Sequence, residues 1–360
     1  MSAYPRIEID LDALRANLAQ VRRLAPRARV LAVVKADAYG HGLATVARAL
    51  AAADGFAVAR IEEGIALRRV GIGHRIVVLE GFFDREEAEA AARYRLEPVI
   101  HDPAQLDLLP PALRPWLKFD SGMHRLGLDE AAFQAALARL AGRQPVLMTH
   151  LARADERGVP ATAAHLASFA RLCADSPCER SSANSAAILA WPKAHGDWVR
   201  PGLMLYGLSP FPDRTGAQLG LRPVMTFRTR LLAVRRLEPG EAVGYGGTWV
   251  AMRPTRLGVL AAGYGDGYPR EVRPGTPVWI AGRRVPIVGR VSMDLITVDL
   301  TDHPAVEAGA EAVLWGPQLP VEEIAARAGT IPYTLVCGIT PRVARSTTER
   351  GEDGARQGCL

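Results

Sequence analysis

The chain has 360 residues, enough for about two domains, and its 49% hydrophobic and 23% charged content is that of a globular protein with a large core. No stretch approaches the about 20 apolar residues of a membrane span, and the opening Met1-Ser2-Ala3-Tyr4-Pro5 lacks the apolar core of a signal peptide, so a cytoplasmic protein is expected, with no membrane association. The net charge of +6 comes from scattered basic residues without interleaved aromatics, which favours a solvated surface over nucleic-acid binding.

Residues 6–10 read as an opening β run, and its domain is left open. Eight apolar β-type runs follow: Val30 to Val34, Phe56 to Ala59, Ile76 to Leu79, Pro98 to Ile100, Trp116 to Phe119, Val146 to Thr149, Arg180 to Ala183 and Val199 to Leu205. Helical patterns separate them, among them Leu43 to Ala53, Glu86 to Arg93, Glu130 to Leu140 and Thr162 to Ala174. Alternation of this kind predicts a parallel sheet covered by helices. Eight units predict an α/β fold of the (β/α)8 barrel type. The fourth and seventh runs have the weakest pattern, so an open doubly wound sheet is the alternative.

After about residue 221 the helical patterns nearly vanish. The β runs there are Met225 to Leu237, Thr248 to Ala251, Leu257 to Ala262, Val278 to Ala281, Val285 to Val288, Leu295 to Leu300 and Ala312 to Trp315. Turns such as Pro239-Gly240, Gly246-Gly247 and Gly282 divide them. The expectation is a barrel over residues 1–221 and a mostly β domain over 222–360, with one helix near Val321 to Ala328. The polar tail from Ser346 to Leu360 is expected to fray.

Lysine is scarce: Lys35, Lys118 and Lys193 are the whole set. Where a plain cation suffices, this chain uses arginine. Each lysine is therefore worth testing as an amine, because an amine can act as a nucleophile and a guanidinium cannot. Cys173, Cys178, Cys337 and Cys359 show no zinc-type pairing and no secreted framework, so free thiols are expected.

Lys35 stands at the C-terminal end of the first barrel run, in Val33-Val34-Lys35-Ala36-Asp37-Ala38-Tyr39-Gly40-His41-Gly42. That end of a barrel is the catalytic face. Other runs lead into Lys118 to Arg125, Thr149-His150, Asn184-Ser185 and Arg200-Pro201-Gly202-Leu203. Taken singly, His150 fits a satisfied core histidine, Arg125 a loop cation and Ser185 a helix cap. Their convergence on one face favours a site. Ser185 and Gly202 follow the seventh and eighth runs, where barrels often bind phosphate. Asp120 and Asp266 lie near glycines without a ligand set, so no metal is expected. Gly71-Ile72-Gly73-His74 does not complete a dinucleotide fingerprint.

The segment from Val33 to Gly42 resembles the cofactor-lysine motif of bacterial alanine racemases. Lys118 to Gly127, Arg200 to Gly207, Gly263-Tyr264-Gly265-Asp266-Gly267 and Gly289 to Asp294 are similar to further segments of that family, in family order. The resemblance implies an isomerase that interconverts L- and D-alanine with pyridoxal 5'-phosphate, by two-base proton transfer at Cα, for peptidoglycan precursors or D-alanine catabolism. It implies that Lys35 holds the cofactor and that Tyr264 is the opposing acid/base. Tyr39, Ser185, Gly202 and Leu203 are implied at the cofactor phosphate, Asn184 among the cofactor-binding residues, His150 beside the ring, and Arg200 at the pyridine nitrogen. Arg125 and Met293 are implied at the substrate. Lys118, Asp155, Arg290 and Asp294 have supporting or access roles, and Lys118 matches a position carbamylated in some members. Active sites shared between the subunits of a homodimer are also implied.

Where many members carry a tyrosine before a C-terminal Arg-Val pair, this chain has Pro341, which offers no hydroxyl to phosphate or substrate. Two other readings compete: a broad-specificity racemase or decarboxylase of the same architecture, and a non-catalytic cofactor carrier. Arg200 argues against the decarboxylase, whose partner at the ring is acidic. A whole second domain argues against the carrier, which resembles the barrel alone.

Overall fold

The computed structural model describes residues 4–349, which form two compact units. One is residues 15–205; the other joins the chain's beginning, through Leu14, to the residues from Tyr206 onward. The first unit ends at Leu205, ahead of the 221 expected as the end of the barrel domain.

In the first unit, β2 (Arg29–Val33), β3 (Gly55–Val58), β4 (Arg75–Val78), β5 (Glu97–Ile100), β6 (Trp116–Lys118), β7 (Val146–Met148), β8 (Arg180–Ser181) and β9 (Trp198–Val199) are parallel neighbours. β2 pairs with β9, so the sheet curls round to its own start. The last seam, between β8 and β9, is bridged by Asp197 N donating to Arg180 O at 2.9 Å and Arg200 N donating to Ala183 O at 2.9 Å. This is the barrel the alternation predicted. Phe56, Ala57 and Val58 are fully buried, as expected for strands covered on both faces. The eighth run stops at Val199 because Pro201 lacks the N–H that a ladder needs; the chain then enters a 3-10 turn over Leu203–Tyr206.

The lower rim of the barrel, at the strand starts, is tied by Glu179. Its carboxylate accepts from Arg29, from Arg114 Nη2 at 2.9 Å and from Trp198 Nε1 at 3.2 Å. Burial would raise its pKa, but these donors outweigh that and hold it at about 2. Trp198 meets Trp116 edge-on, with ring centroids 5.7 Å apart. This rim is structural; the opposite rim carries the candidate chemistry.

The second unit is mostly β. The opening strand β1 (Arg6–Asp10) belongs here. It pairs antiparallel with β10 (Met225–Leu237). The chain continues through β11 (Ala242–Val243), β12 (Trp249–Val250), β13 (Thr255–Leu260), β14 (Pro277–Ile280), β15 (Arg283–Pro286), β16 (Ile296–Asp299), β17 (Glu311–Trp315) and β18 (Ala344–Thr348). The main path runs β15-β14-β17-β10-β1-β18, with β13 joining β10 to β16. A bulge between Leu231 and Ala233 lets β10 pair with both β17 and β13 along its 13 residues. The expected helix spans Val321–Arg327, and a second, Pro332–Cys337, starts on a proline suited to a first helical turn.

The expectation of fraying from Ser346 is corrected in part. Residues 344–348 form β18, whose partner β1 lies more than 330 positions earlier in sequence. No local pattern announces that pairing. Residues 350–360, Cys359 among them, lie outside the described part. Cys173, Cys178 and Cys337 form no disulfide.

Candidate active site

Each candidate on the barrel follows the C-terminal end of a strand. β2 ends at Val33, and Lys35 stands two residues on, half-buried. The backbone after it is unusual. Ala36, Asp37, Ala38 and Tyr39 have φ of 53°, 53°, 53° and 54°, with ψ between 42° and 55°. This is one turn of left-handed helix built from residues with side chains. Left-handed helical geometry costs roughly 1–2 kcal/mol per L-residue, so other contacts must hold it. Several do. Ala38 N donates to Val34 O at 2.9 Å, and Leu43 N donates to Asp37 Oδ1 at 2.8 Å. The buried His41 ring donates from Nδ1 to Tyr39 O at 2.8 Å. Glu63, from the helix Ile61–Arg69, accepts from Ala36 N at 2.7 Å. The sequence suggested only a close-approach turn here.

The left-handed turn buries Tyr39 against the segment after β9. A Cβ added to Gly202 would lie 2.6 Å from Tyr39 Oη, so a side chain there would push the phenol aside. Ser185 is buried and its hydroxyl accepts from Gly202 N at 3.0 Å and Met204 N at 3.3 Å. Asn184 caps the short helix Ser185–Ala190, accepting from Ala187 N at 3.0 Å. Gly202 and Leu203 are both buried. Tyr39, Gly202 and Ser185 thus meet along one wall, with Leu203 and Asn184 next to them in sequence.

Arg200 is buried at 4% exposure. Nη1 donates to Ser181 Oγ at 2.6 Å and Nη2 to Thr149 O at 2.6 Å. Nε has no acceptor, and no carboxylate pairs with the guanidinium, among the described residues. Burial pushes its pKa down to about 10, so it remains a cation at neutral pH. Its Nη2 also lies 3.5 Å from His150 Nδ1. An arginine only donates, so where this long contact forms, Nδ1 accepts and the proton sits on Nε2. Burial, then Arg200, Lys118, Arg125 and Lys35, hold the His150 pKa well below its ordinary value. The imidazole is therefore neutral, and the mouth of the barrel is strongly cationic.

Lys118 ends β6 and is 7% exposed. Burial, then Arg200 and Arg125, push its pKa down to about 8. Arg125 itself is exposed in the loop that follows. Asp120 shapes that loop by accepting from Gly122, Met123 and His124 amides at 2.9, 2.9 and 3.1 Å. Asp155 is exposed in the loop after β7.

The Lys118 shift has a stability consequence. Its folded pKa lies below the ordinary lysine value of 10.5, so the unfolded chain holds more protons between about pH 8 and 10.5. Stability must rise with pH across that window, while below it the cost of the buried ammonium is fully present. Lys118→Met is expected to lose this rise. Melting temperatures of both proteins at pH 8 and pH 10 test it; an equal change in both would refute it.

The remaining predicted residues lie in the second unit. Tyr264 is 39% exposed and Met293 53% exposed. Their two turns are bonded to each other: Tyr264 N donates to Ser292 O at 3.1 Å and Gly265 N to Met293 O at 2.8 Å. Arg342 clasps both turns, donating to Asp266 Oδ1 and to Asp294 Oδ1, each at 2.7 Å. Asp294 is thus a structural partner of Arg342. Arg290 is exposed and lines a cavity of about 450 Å³ with Thr248, Arg270 and Glu271.

The sequence reading passed over one further tyrosine. Tyr245 is 69% exposed, between Gly244, Gly246 and Gly247 with φ of 72°, 75° and 54°. Neither Tyr245 nor Tyr264 has a hydroxyl partner among the described residues. The signal in the sequence is the Gly244-Tyr245-Gly246-Gly247 run itself, of which Gly246-Gly247 reads as a turn.

The barrel presents a strand-end lysine among arginines, and the β unit, taken by itself, carries exposed tyrosines. Family models narrow this: the alanine racemase N-terminal domain matches residues 9–210 and the C-terminal domain residues 224–347. An alanine racemase of Nitrosococcus oceani is 52% identical over 95% of this chain and 99% of its own length. One of Aeromonas hydrophila is 51% identical over 93% and 97%. The solved biosynthetic alanine racemase of Pseudomonas aeruginosa superposes with a TM-score of 0.93 at 46% identity, covering 96% of this chain and 100% of that one. The Bartonella henselae enzyme, solved with covalently bound pyridoxal phosphate, gives 0.87 at 30% identity, covering 96% and 100%. The chain belongs to the alanine racemase family.

Proposed function

We propose that this protein is a cytoplasmic, homodimeric alanine racemase that uses pyridoxal 5'-phosphate. The observation that carries the reading is Arg200. A buried guanidinium with Nε unengaged and no carboxylate partner fits a ring nitrogen that accepts a hydrogen bond. A cofactor that pairs its ring with a carboxylate would find no partner there. The Tyr39–Gly202 wall, where the phenol lies directly over the Gly202 Cα, fits the phosphate.

Bound there, pyridoxal phosphate would acidify the Cα–H of alanine. Lys35 would hold the cofactor and then take or return the Cα proton from one face. Arg200 stays protonated and only donates, which leaves the ring a weak electron sink and restrains side reactions such as transamination. Arg125 would bind the alanine carboxylate. Neutral His150 would orient its neighbours through Nε2–H. Lys118 would stand beside Arg125 as an ammonium at neutral pH, and its carbamate would put a negative charge there instead.

The second base is a tyrosine of the β unit. The resemblance pointed to Tyr264; exposure and the glycine-rich turn favour Tyr245, with Tyr264 and Met293 then shaping the substrate's surroundings. Arg290 and Asp155 would line the access path. The expected activity is loss of optical rotation from L-alanine, faster than from L-serine or L-lysine. Equal or faster loss from lysine would favour a broad-specificity racemase, and release of carbon dioxide a decarboxylase.

A further inference from the structure

The left-handed turn after Lys35 is held from outside by Glu63. One oxygen of this carboxylate accepts from Ala36 N at 2.7 Å. The other accepts from Ala59 N at 2.8 Å and Arg60 N at 3.3 Å, at the end of the next strand, β3. Glu63 thus ties the peptide directly after Lys35 to the neighbouring strand end. The bond from Ala36 spans 27 positions in sequence, so it is a tertiary constraint on a segment whose local preference is for other conformations.

We infer that Glu63 is a positioning residue for the racemase reaction: its carboxylate holds the Ala36–Tyr39 turn, and through that turn the Lys35 amine and the Tyr39 phenol. The inference rests on the reading of Lys35 as the cofactor lysine. Without the Ala36 bond, the turn would relax toward right-handed or extended backbone. Lys35 would then leave from a different direction, and Tyr39 would move off Gly202. Glu63 itself touches neither cofactor nor substrate in this account.

Glu63→Ala also removes a first-turn helix cap, so a matched control is needed. Glu87 supplies one: in the helix Arg85–Arg93 it accepts from Phe83 N at 2.8 Å and has no link to the Lys35 turn. The test compares wild type, Glu63→Ala, Glu63→Gln and Glu87→Ala. Hydrogen exchange of the Ala36 amide without cofactor is expected to accelerate in Glu63→Ala, while β3 and β4 keep their protection. The pyridoxal phosphate Kd should rise and kcat fall by about 10- to 100-fold, with the alanine KM changed much less. Glu63→Gln, which keeps one acceptor oxygen, should be intermediate and keeps the test usable if the alanine variant fails to fold. Glu87→Ala should match wild type in all but melting temperature.

Wild-type exchange at Ala36 in both Glu63 variants overturns the inference. So does faster exchange with unchanged Kd and kcat, or the same kinetic loss in Glu87→Ala. Lys35→Ala, run beside them, separates the two levels. If it still forms a borohydride-reducible adduct, the Lys35 reading falls and takes this inference with it. If it does not, while Glu63→Ala behaves as wild type, only the role of Glu63 falls.

Discussion

Lys35→Ala is expected to lose the borohydride-reducible cofactor adduct and to lower racemase turnover by about 10⁴-fold or more, since a nucleophile and a proton-transfer group vanish together. Lys35→Arg should be nearly as inactive, because a guanidinium keeps the charge but cannot attack an aldehyde. That pair of variants separates chemistry from electrostatics. The mouth already holds Lys118, Arg125 and Arg200, so losing one positive charge leaves anion attraction largely in place. Weak cofactor binding should therefore persist in Lys35→Ala, detectable by fluorescence, without covalent capture. An adduct that survives would move the attachment to Lys118 or Lys193, the other two lysines of the chain.

Mixing two inactive proteins is expected to restore activity. Suppose each site takes Lys35 from one subunit and its tyrosine from the other. A heterodimer of Lys35→Ala and the tyrosine variant then has one doubly damaged site and one intact site. With random exchange half the dimers are mixed, and recovery should approach about a quarter of wild-type activity. Tyr245→Phe is expected to behave this way, after itself losing about 10²–10⁴-fold in kcat. Tyr264→Phe is expected to keep most of kcat and shift KM. If Tyr264→Phe is the inactive and complementing variant, the roles reverse. No recovery with either tyrosine, under conditions where gel filtration shows subunit exchange, would mean sites complete within single subunits.

Much of the barrel was legible because its strands are short apolar runs between helices, and burial on both faces leaves that mark. Met225–Leu237 was legible to the residue because a 13-residue β pattern has few alternatives. The positions of Lys35, Lys118, His150, Ser185 and Arg200 followed from strand ends once the strands were known. Three things were not legible. β18 depends on pairing with β1, from the other end of the sequence. The left-handed turn depends on tertiary bonds such as Glu63 to Ala36, against the local preference of Ala-Asp-Ala-Tyr. Tyr245, the proposed second base, was hidden because glycines around a tyrosine read first as a turn; the structure shows it exposed where Tyr268 is buried.

Strand β1 has a consequence for how the chain acquires its structure. It is made before the parallel strands, yet its partners begin at Met225 and at Ala344. A ribosome that has finished residues 15–205 has delivered every strand of the parallel sheet, while residues 6–10 still have nothing to pair with. Synthesis at about 5–20 residues per second leaves that edge unsatisfied for several seconds at least. During that interval Ile7 and Ile9, both buried in the finished protein, are exposed to chaperones and to other nascent chains. Arg6 and Glu8, alternating with them, put charge along the same short segment and so discourage association before its own partners arrive.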